Sequence, residues 1–474
     1  MRNTKLFIGR KMRELREAHR LTQAAFAERI GISTSYLNQI ENNQRPVSAA
    51  VLLSLAETFR IDIADFSAGE GDRLLSALSE ALNDPLFVTF RPSLQELKLV
   101  AQNAPGFAHA LIAAHQAYRR NSEQLASFDD TLGRSAGLAE PTPYEEVRDF
   151  FHFVDNYIHE LDIAAEKLAA ALDIPARDPA SALAGHLEAR HGVRIVHDAG
   201  HDAGGESLMR RFDAGRGVLH LNPFSPPPTR SFQIAYQIGA LEMGDAVEAV
   251  VDNASFRSSE AREICRIGLS NYFAGALMMP YAALQESARE LRHDLELIAL
   301  RFGASVEQVA HRLSTLQRPG RKGVPIFFAR IDRAGNITKR HSAAKLQFAR
   351  FGAACPLWNV HQAFETPGRI IRQLAETPDG VRYLCLATEI AKGGGGFRAP
   401  QRRYAISVGC EVAHAGDFVY ADDLDLGNPA AFDPIGISCR ICERPNCAQR
   451  AVPPLKRRLV VDRDRRGAVP YLLD

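Results

Sequence analysis

No apolar run in the chain approaches the roughly 20 residues that a membrane-spanning helix needs. The opening residues, MRNTKLFIGRKMRELREAHR, carry no hydrophobic core of a secretory signal. Cysteine is scarce: seven in 474 residues, an odd number that speaks against a disulfide framework. There is one tryptophan. Neither sign of charge dominates, with 57 Lys and Arg against 56 Asp and Glu, so bulk charge selects no partner. The missing apolar run and the scarce cysteine argue against a helical membrane protein and a stapled secreted domain, while the even charge says little about partners because local charge can still be uneven. The expected setting is a reducing cytoplasm, with no membrane partner.

What is present is ordinary globular material, 46% hydrophobic and 24% charged, long enough for two to four domains. Three texture changes divide it into four stretches. Residues 1–70 read as short helices with apolar positions at helical spacing. Residues 71–172 read as a helical connector, its helices starting at or near proline (PSLQELKLVAQ, PGFAHALIAAHQAYRRNSEQLASF, PYEEVRDFFHFVDNYIHELDIAAEKLAAAL). DDTLGRSAGLAEPTP between the last two reads as a linker. Residues 173–320 alternate: a helix, a strand in VRIVHD, a hairpin around RRFDAGRGVLHLN, then several helices. Residues 321–474 turn to short β-rich runs, VPIFFARID, VRYLCLATEI, RRYAISVGC and DFVYADDL, interrupted by KGGGG. The expected fold class is α+β multidomain.

The segment LTQAAFAERIGISTSYLNQIENNQRPVSAAVLLSLAETFRID resembles the helix-turn-helix of the lambda repressor and Cro class. Its first helix runs from about Gln23 to Ile30, Gly31 supplies the turn, and a recognition helix follows from about Ser33 to Glu41. Ala27 lets the helices cross closely, while Ile32 and Leu37 pin the second one to the core. That arrangement presents Ser33, Thr34, Ser35, Tyr36, Asn38 and Gln39 to a major groove, where Asn or Gln pairs with adenine. Gln23, Asn42 and Arg45 are placed for phosphates. The bland alternative is a helical domain used for protein contacts.

A DNA-binding unit followed by helix, strand, hairpin and helix resembles the ImmA/IrrE-like metallopeptidases and their regulator relatives. Their central helix carries H-E-x-x-H, two zinc-binding His one turn apart and a Glu base. On FQIAYQIGALE those roles fall on Tyr236, Gln237 and Ala240. Ligand, base and ligand are all absent, so the resemblance implies a degenerate zincin-like domain without catalytic residues. Other metal arrangements from His186, His191, His197, His201 and His220 stay open beside the reading of ordinary core or solvated His.

Near the end ISCRICERPNCAQRAVPPL places Cys439, Cys442 and Cys447 in C-x2-C-x4-C, a metal knuckle short of one ligand. Cys410, His414 or His361 could complete a zinc site; otherwise the thiols pack as small hydrophobes and no metal is required. STSYLNQIENNQRP, CPLWNVHQAFETPGRI, VGCEVAHAGDFVYADDLDL and IGISCRICERPNCAQRAVPPL together resemble the short-chain fatty acyl-CoA regulators, bacterial transcription factors with this domain order. The resemblance implies a dimeric or tetrameric regulator, contacting itself through the connector and an operator through the helix-turn-helix. It also implies a mixed α/β C-terminal domain sensing a short acyl-CoA such as propionyl-CoA or acetyl-CoA.

The residues themselves offer cations for CoA phosphates, Lys392, Arg398, Arg402 and Arg403 around the glycines, with Arg440, Arg444 and Arg450 near the cysteines. Phe351, Trp358 and Phe364 are candidate walls for an acyl slot. Two rivals stay open: a zinc peptidase that cleaves a repressor, and an antitoxin or phage-type repressor controlled by protein contacts.

Overall fold

The structure is a computed structural model. It describes residues 9–42, 44–59, 69–82, 84–87, 92–131, 142–174, 178–198, 200, 208–344, 346, 353–393, 401–439, 442–454, 457–464, 469 and 471–473. The chain divides into two compact units, residues 1–122 with 319–321 and the remainder.

The first unit begins with α1 (Gly9–Ala18), α2 (Gln23–Arg29), α3 (Thr34–Glu41) and α4 (Ala49–Phe59). Thr22 caps α2 by accepting from the Ala25 N–H, and Ser33 caps α3 by accepting from the Tyr36 N–H. Between them Gly31 adopts φ +70°, the left-handed geometry that glycine tolerates without a Cβ penalty. Met12, Phe26, Ala27, Ile30, Leu37 and Ile40 form the core with Val47, Val51 and Leu55. A second small core joins α5 (Gly69–Ala81), α6 (Leu94–Asn103) and α7 (Pro105–Thr131) through Leu74, Leu78, Leu97 and Ala108.

The second unit opens with α8 (Pro143–Phe153) and α9 (His159–Leu172). One continuous helix was expected here. Asp155 and Asn156, both at φ +51°, break it. Both helices pack on a later helix, Ser259–Met278, rather than standing apart as connector, and Phe151 of α8 lies against its Gly268. Then come α10 (Pro179–His191), β1 (Arg194–His197), β2 (Arg210–Asp213), β3 (Val218–Leu221), α11 (Pro227–Glu242), α12 (Gly244–Asn253) and α13 (Ser259–Met278). The hairpin forms as expected, β2 antiparallel to β3, with β1 parallel on its other side. α14 (Tyr281–Glu290), α15 (Leu295–Phe302) and α16 (Val306–Leu313) complete the helical layer. At its centre Asp162, fully buried, receives hydrogen bonds from Tyr272 at 2.5 Å, Arg312 at 2.8 Å and Arg318 at 3.0 Å.

The rest is a sheet ordered β5-β4-β8-β7-β6-β9. Its strands are β4 (Ile326–Asp332), β5 (Ile337–Ser342), β6 (Ile371–Glu376), β7 (Arg382–Lys392), β8 (Arg402–Glu411) and β9 (Asp433–Pro434); β10 (Leu459–Val460) pairs separately with β11 (Leu472–Leu473). Alternation sorts the central strands. Ile326, Phe328, Leu374, Leu384, Leu386, Ile406, Val408 and Cys410 join the helical core, while Phe327, Ala329, Ala375, Tyr383, Cys385, Ala387 and Ala405 join a second core on the other face. Gly409 sits where any Cβ would collide with the Leu384 carbonyl and the Phe327 ring. DFVYADDL, expected as a β run, is instead 3-10 turns at Val412–Asp417 and Val419–Ala421. Arg292 holds it there, pairing with Asp422 at 2.6 Å.

Candidate nucleic-acid interface and ligand sites

The recognition-helix face follows from the packing of α3. Leu37 and Ile40 are fully buried, so Thr34, Ser35 and Asn38 are left exposed together and Tyr36 and Gln39 half-buried at the margins. Ser33 is exposed, but its hydroxyl is engaged as the helix cap. Asn42 donates to Asn38 Oδ1 at 2.9 Å and accepts from Arg13 at 3.0 Å, which fixes the Asn38 amide from behind. Arg45 lies over the Tyr36 ring, 5.1 Å from its centroid. Gln23, expected at a phosphate, donates to buried Glu41 at 2.7 Å. Arg16 clamps the same carboxylate with two bonds, 2.7 and 3.2 Å. Arg13 and Arg16 escaped the sequence reading because they lie on α1, outside the motif.

On α11 the motif positions are occupied by another chemistry. Gln237 is 2% exposed and its Oε1 accepts from Arg210 at 3.0 Å. The same guanidinium lies over the Tyr236 ring, 4.1 Å from the centroid. Burial pushes Arg210 below its ordinary pKa, with Tyr236 opposing. A fixed cation therefore stands beside the helix where the related peptidases need a metal, and Ala240 is exposed to solvent. Gly239 lets the Phe273 ring of α13 pack directly on the α11 backbone. Ligand, base and second ligand are all absent. This arrangement has no means to activate water.

The histidines do not form one cluster. His186 and His191 meet Glu242, at 2.6 and 2.8 Å. His220 pairs with Asp198 at 2.7 Å, His197 is exposed on β1, and His201 lies outside the described residues.

Three of the C-terminal cysteines do gain a fourth, and it is none of those expected. Cys355 lines one pocket with Cys439, Cys442 and Cys447, together with Arg444 and Arg450. Cys410 points to the opposite face of the sheet, into the helical core. His361 is turned to the Cys355 carbonyl, 3.1 Å away, and His414 sits in the 3-10 turn after β8. Burial raises the Cys355 thiol pKa, opposed by the Gly436 N–H donating to its sulfur at 3.2 Å. Four thiols share this lining, but no three of their sulfurs lie within 4.8 Å of one another, so they line a pocket rather than form a ready ligand set. Arg450 donates to the Cys442 carbonyl at 3.1 Å and Arg444 to that of Glu376 at 3.0 Å, so both arginines shape the loop. Cys355 was missed because it lies far upstream of C-x2-C-x4-C in sequence.

The candidate phosphate cations are divided by the sheet. Lys392 faces Arg402 across β7 and β8, and the two share the helical side. Lys392 pairs there with Glu307 of α16 at 2.6 Å. Burial pushes the Glu307 carboxyl up, and Lys392, Lys339 and Arg330 more than offset it, holding it low. Arg403 points to the other side, bonded to Glu389 at 2.7 Å and to the Phe364 carbonyl at 3.4 Å. Phe364 is half-buried against the second core, in which Trp358 is 5% exposed. Phe351, Arg398 and Arg440 lie outside the described residues.

Among the described residues no helix is long and apolar enough to cross a membrane. Family models match in three segments: a helix-turn-helix at 12–66, an IrrE N-terminal-like domain at 188–314, and the C-terminal part of a short-chain fatty acyl coenzyme A regulator at 315–471. The chain is 54% identical to a propionyl-CoA carboxylase regulator of Cereibacter sphaeroides, over 98% of both proteins. It is 40% identical to the HTH-type transcriptional regulator PrpR of Mycobacterium tuberculosis, over 99% of this chain and 96% of that one. A solved Mycobacterium tuberculosis transcriptional regulator matches at TM-score 0.66 and 42% identity, covering 70% of this chain and all of its own.

Proposed function

Since the chain belongs to the short-chain fatty acyl-CoA regulators, we propose that it reads an operator through α3 and changes its occupancy in response to a short acyl-CoA such as propionyl-CoA. It is a helix-turn-helix transcriptional regulator of acyl-CoA metabolism and not an enzyme. The exposed group Thr34, Ser35 and Asn38, braced by Asn42 and Arg13, is the observation that supports α3 as the base reader. Tyr36, Gln39 and Arg45 flank it on the duplex, while Gln23 on Glu41 and Ser33 as the α3 cap hold the helix in position. Arg210 over Tyr236 and Gln237 supports the regulator reading against the peptidase rival.

The acyl-CoA is proposed to bind at the β7–β8 end of the sheet, with Arg403 on a phosphate and Phe364 against the acyl chain, Trp358 closing the wall behind. Lys392 and Arg402 offer a second cationic edge on the opposite face. Self-association is assigned to α6 and α7, where Leu94, Leu99, Phe107 and Tyr118 are exposed, in a cytoplasmic dimer or tetramer. A two-fold dimer matches two half-sites one DNA turn apart.

Operator gel shifts across a panel of acyl-CoAs, paired with calorimetric titration of the full chain, test this reading. A short acyl-CoA that changes operator affinity supports it. One methylene in an apolar slot is worth about 1 kcal/mol, so adjacent chain lengths should differ by roughly tenfold or less. Because Arg402 and Arg403 lie on opposite faces, Arg403→Ala should weaken every CoA species while Arg402→Ala changes binding less. Unaltered binding in both variants places the ligand elsewhere, and absence of any acyl-CoA effect on the operator overturns the effector reading.

A further inference from the structure

The C-terminal ends of α10 and α11 bring together three metal-ligating side chains that neither the helix-turn-helix nor the acyl-CoA reading uses. His191 is the last residue of α10, and Gly192 at φ +63° turns the chain away immediately after it. His186 lies on the same helix, and Glu242 is the last residue of α11. The two imidazole Nε2 atoms converge on one oxygen, Glu242 Oε1, at 2.6 and 2.8 Å. One ligand atom from each of the three residues lies within 4.8 Å of the others, and no other such group exists among the described residues.

Elsewhere in the chain a histidine meets a carboxylate singly, as His115 meets Asp84 at 2.9 Å and His220 meets Asp198 at 2.7 Å. Convergence of two rings on one oxygen is a different arrangement. It is the donor set of a borderline divalent cation, which takes imidazole nitrogen at about 2.0–2.1 Å and carboxylate oxygen at about 2.0–2.2 Å. Tetrahedral ligation at those lengths sets donor atoms roughly 3.3 Å apart, so small rotations of the three side chains admit the ion. Each is sheltered, with side-chain exposures of 13%, 21% and 13% for His186, His191 and Glu242. Two helix C-termini meet here, and the partial negative charge of their last carbonyls favours a cation. The nearest opposing charge, Arg190, is 3.6 Å from Glu242 and two-thirds exposed, free to swing into solvent.

We propose that His186, His191 and Glu242 bind a divalent transition-metal ion, zinc foremost, which ties α10 to α11 with a fourth position open to solvent. Such a tie is structural. The position on α11 that would need a base holds Gln237, which is engaged by Arg210. The metal thus sits at the end of the degenerate helix rather than at its motif, and makes the firmness of this layer depend on metal supply.

The test uses the full chain, loaded with zinc chloride, desalted and analysed for zinc by mass spectrometry beside thermal melts with and without added zinc. Wild type, Glu242→Gln and His191→Ala are compared, so any metal on the cysteines is common to all three. Each variant should hold one equivalent less than wild type and lose the zinc-dependent rise in melting temperature. Glu242→Gln still accepts a hydrogen bond from each ring, so its metal-free melt should stay near wild type. If it does not fold, His186→Gln takes its place. Equal zinc content and equal zinc-dependent shifts in wild type and variants would overturn the site and leave an ordinary hydrogen-bonded cluster.

Discussion

On α3, Thr34, Ser35 and Asn38 stand in solvent while Leu37 and Ile40 hold the helix down. On α11, Gln237 is buried against Arg210, Tyr236 lies beneath the same guanidinium, and Gly239 is pressed by Phe273. Both helices resemble functional motifs in sequence. One keeps its polar side chains available to a partner, and the other satisfies them within the fold. A motif position with an internal partner contributes to stability; one held in place but left facing solvent is available for recognition. The two units also share a device, a buried carboxylate gripped by arginine: Glu41 with Arg16 in the first and Asp162 with Arg312 and Arg318 in the second.

The largest expected effect breaks that grip in the unit that contains α11. Asp162→Ala leaves Arg312 buried without its anion and should cost about 3–5 kcal/mol in denaturant unfolding. Burial raises the Asp162 pKa, but Arg312, Tyr272 and Arg318 more than offset it, so the folded carboxyl titrates below its ordinary range. Its contribution is therefore present above about pH 4 and lost as the pH falls through the folded value. Unfolding curves collected from pH 5 down to pH 3 should show that acid-linked loss in wild type and not in Asp162→Asn. A parallel loss in both would assign the acid sensitivity to other groups.

Next is the outward-facing helix. Asn38→Ala should cost about 1–3 kcal/mol on the preferred operator and little on unrelated DNA, since base contacts specify and phosphate contacts do not. Fluorescence anisotropy on both duplexes over a salt series separates the two. Equal losses on each would mean that α3 does not read bases. Arg210→Ala should destabilise the protein by about 1–3 kcal/mol by leaving Gln237 unsatisfied, with no gain of proteolysis. Restoring Tyr236→His, Gln237→Glu and Ala240→His should fail to create a peptidase while Arg210 remains. Chelator-sensitive cleavage of casein by that triple variant would erase the contrast between the helices. The smallest effect belongs to the α3 cap: Ser33→Ala should lower stability by about 1 kcal/mol in a thermal melt, and spare operator selectivity.

The helix-turn-helix was legible to within a residue or so, because Thr22, Gly31 and Ser33 act through the few residues next to them. The loss of chemistry on α11 was legible too, as three substitutions in one turn. What replaced it was not. Arg210 comes from a hairpin whose pairing, not its composition, delivers the guanidinium to Tyr236. Glu242 and Cys355 escaped for a similar reason, since each meets its partners only through packing between elements distant in sequence. The break between α8 and α9 was hidden because Asp155 and Asn156 interrupt an otherwise continuous apolar stripe. The division of Lys392 and Arg402 from Arg403 was present in the alternation of β8 but needed the β7 register to be seen.

That register bears on how the protein can change over generations. Consecutive residues of β7 and β8 belong to different cores, so adding or deleting one residue inside either strand would send every following side chain to the wrong side at once. Gly409 adds a second bar, since a slip places a side chain against the Leu384 carbonyl. Changes of length are therefore barred throughout the ten pairs that run from Tyr383 with Glu411 to Lys392 with Arg402. A lineage can exchange side chains along these strands one at a time, but it can change their length only outside the paired stretch, where the two faces stay in step.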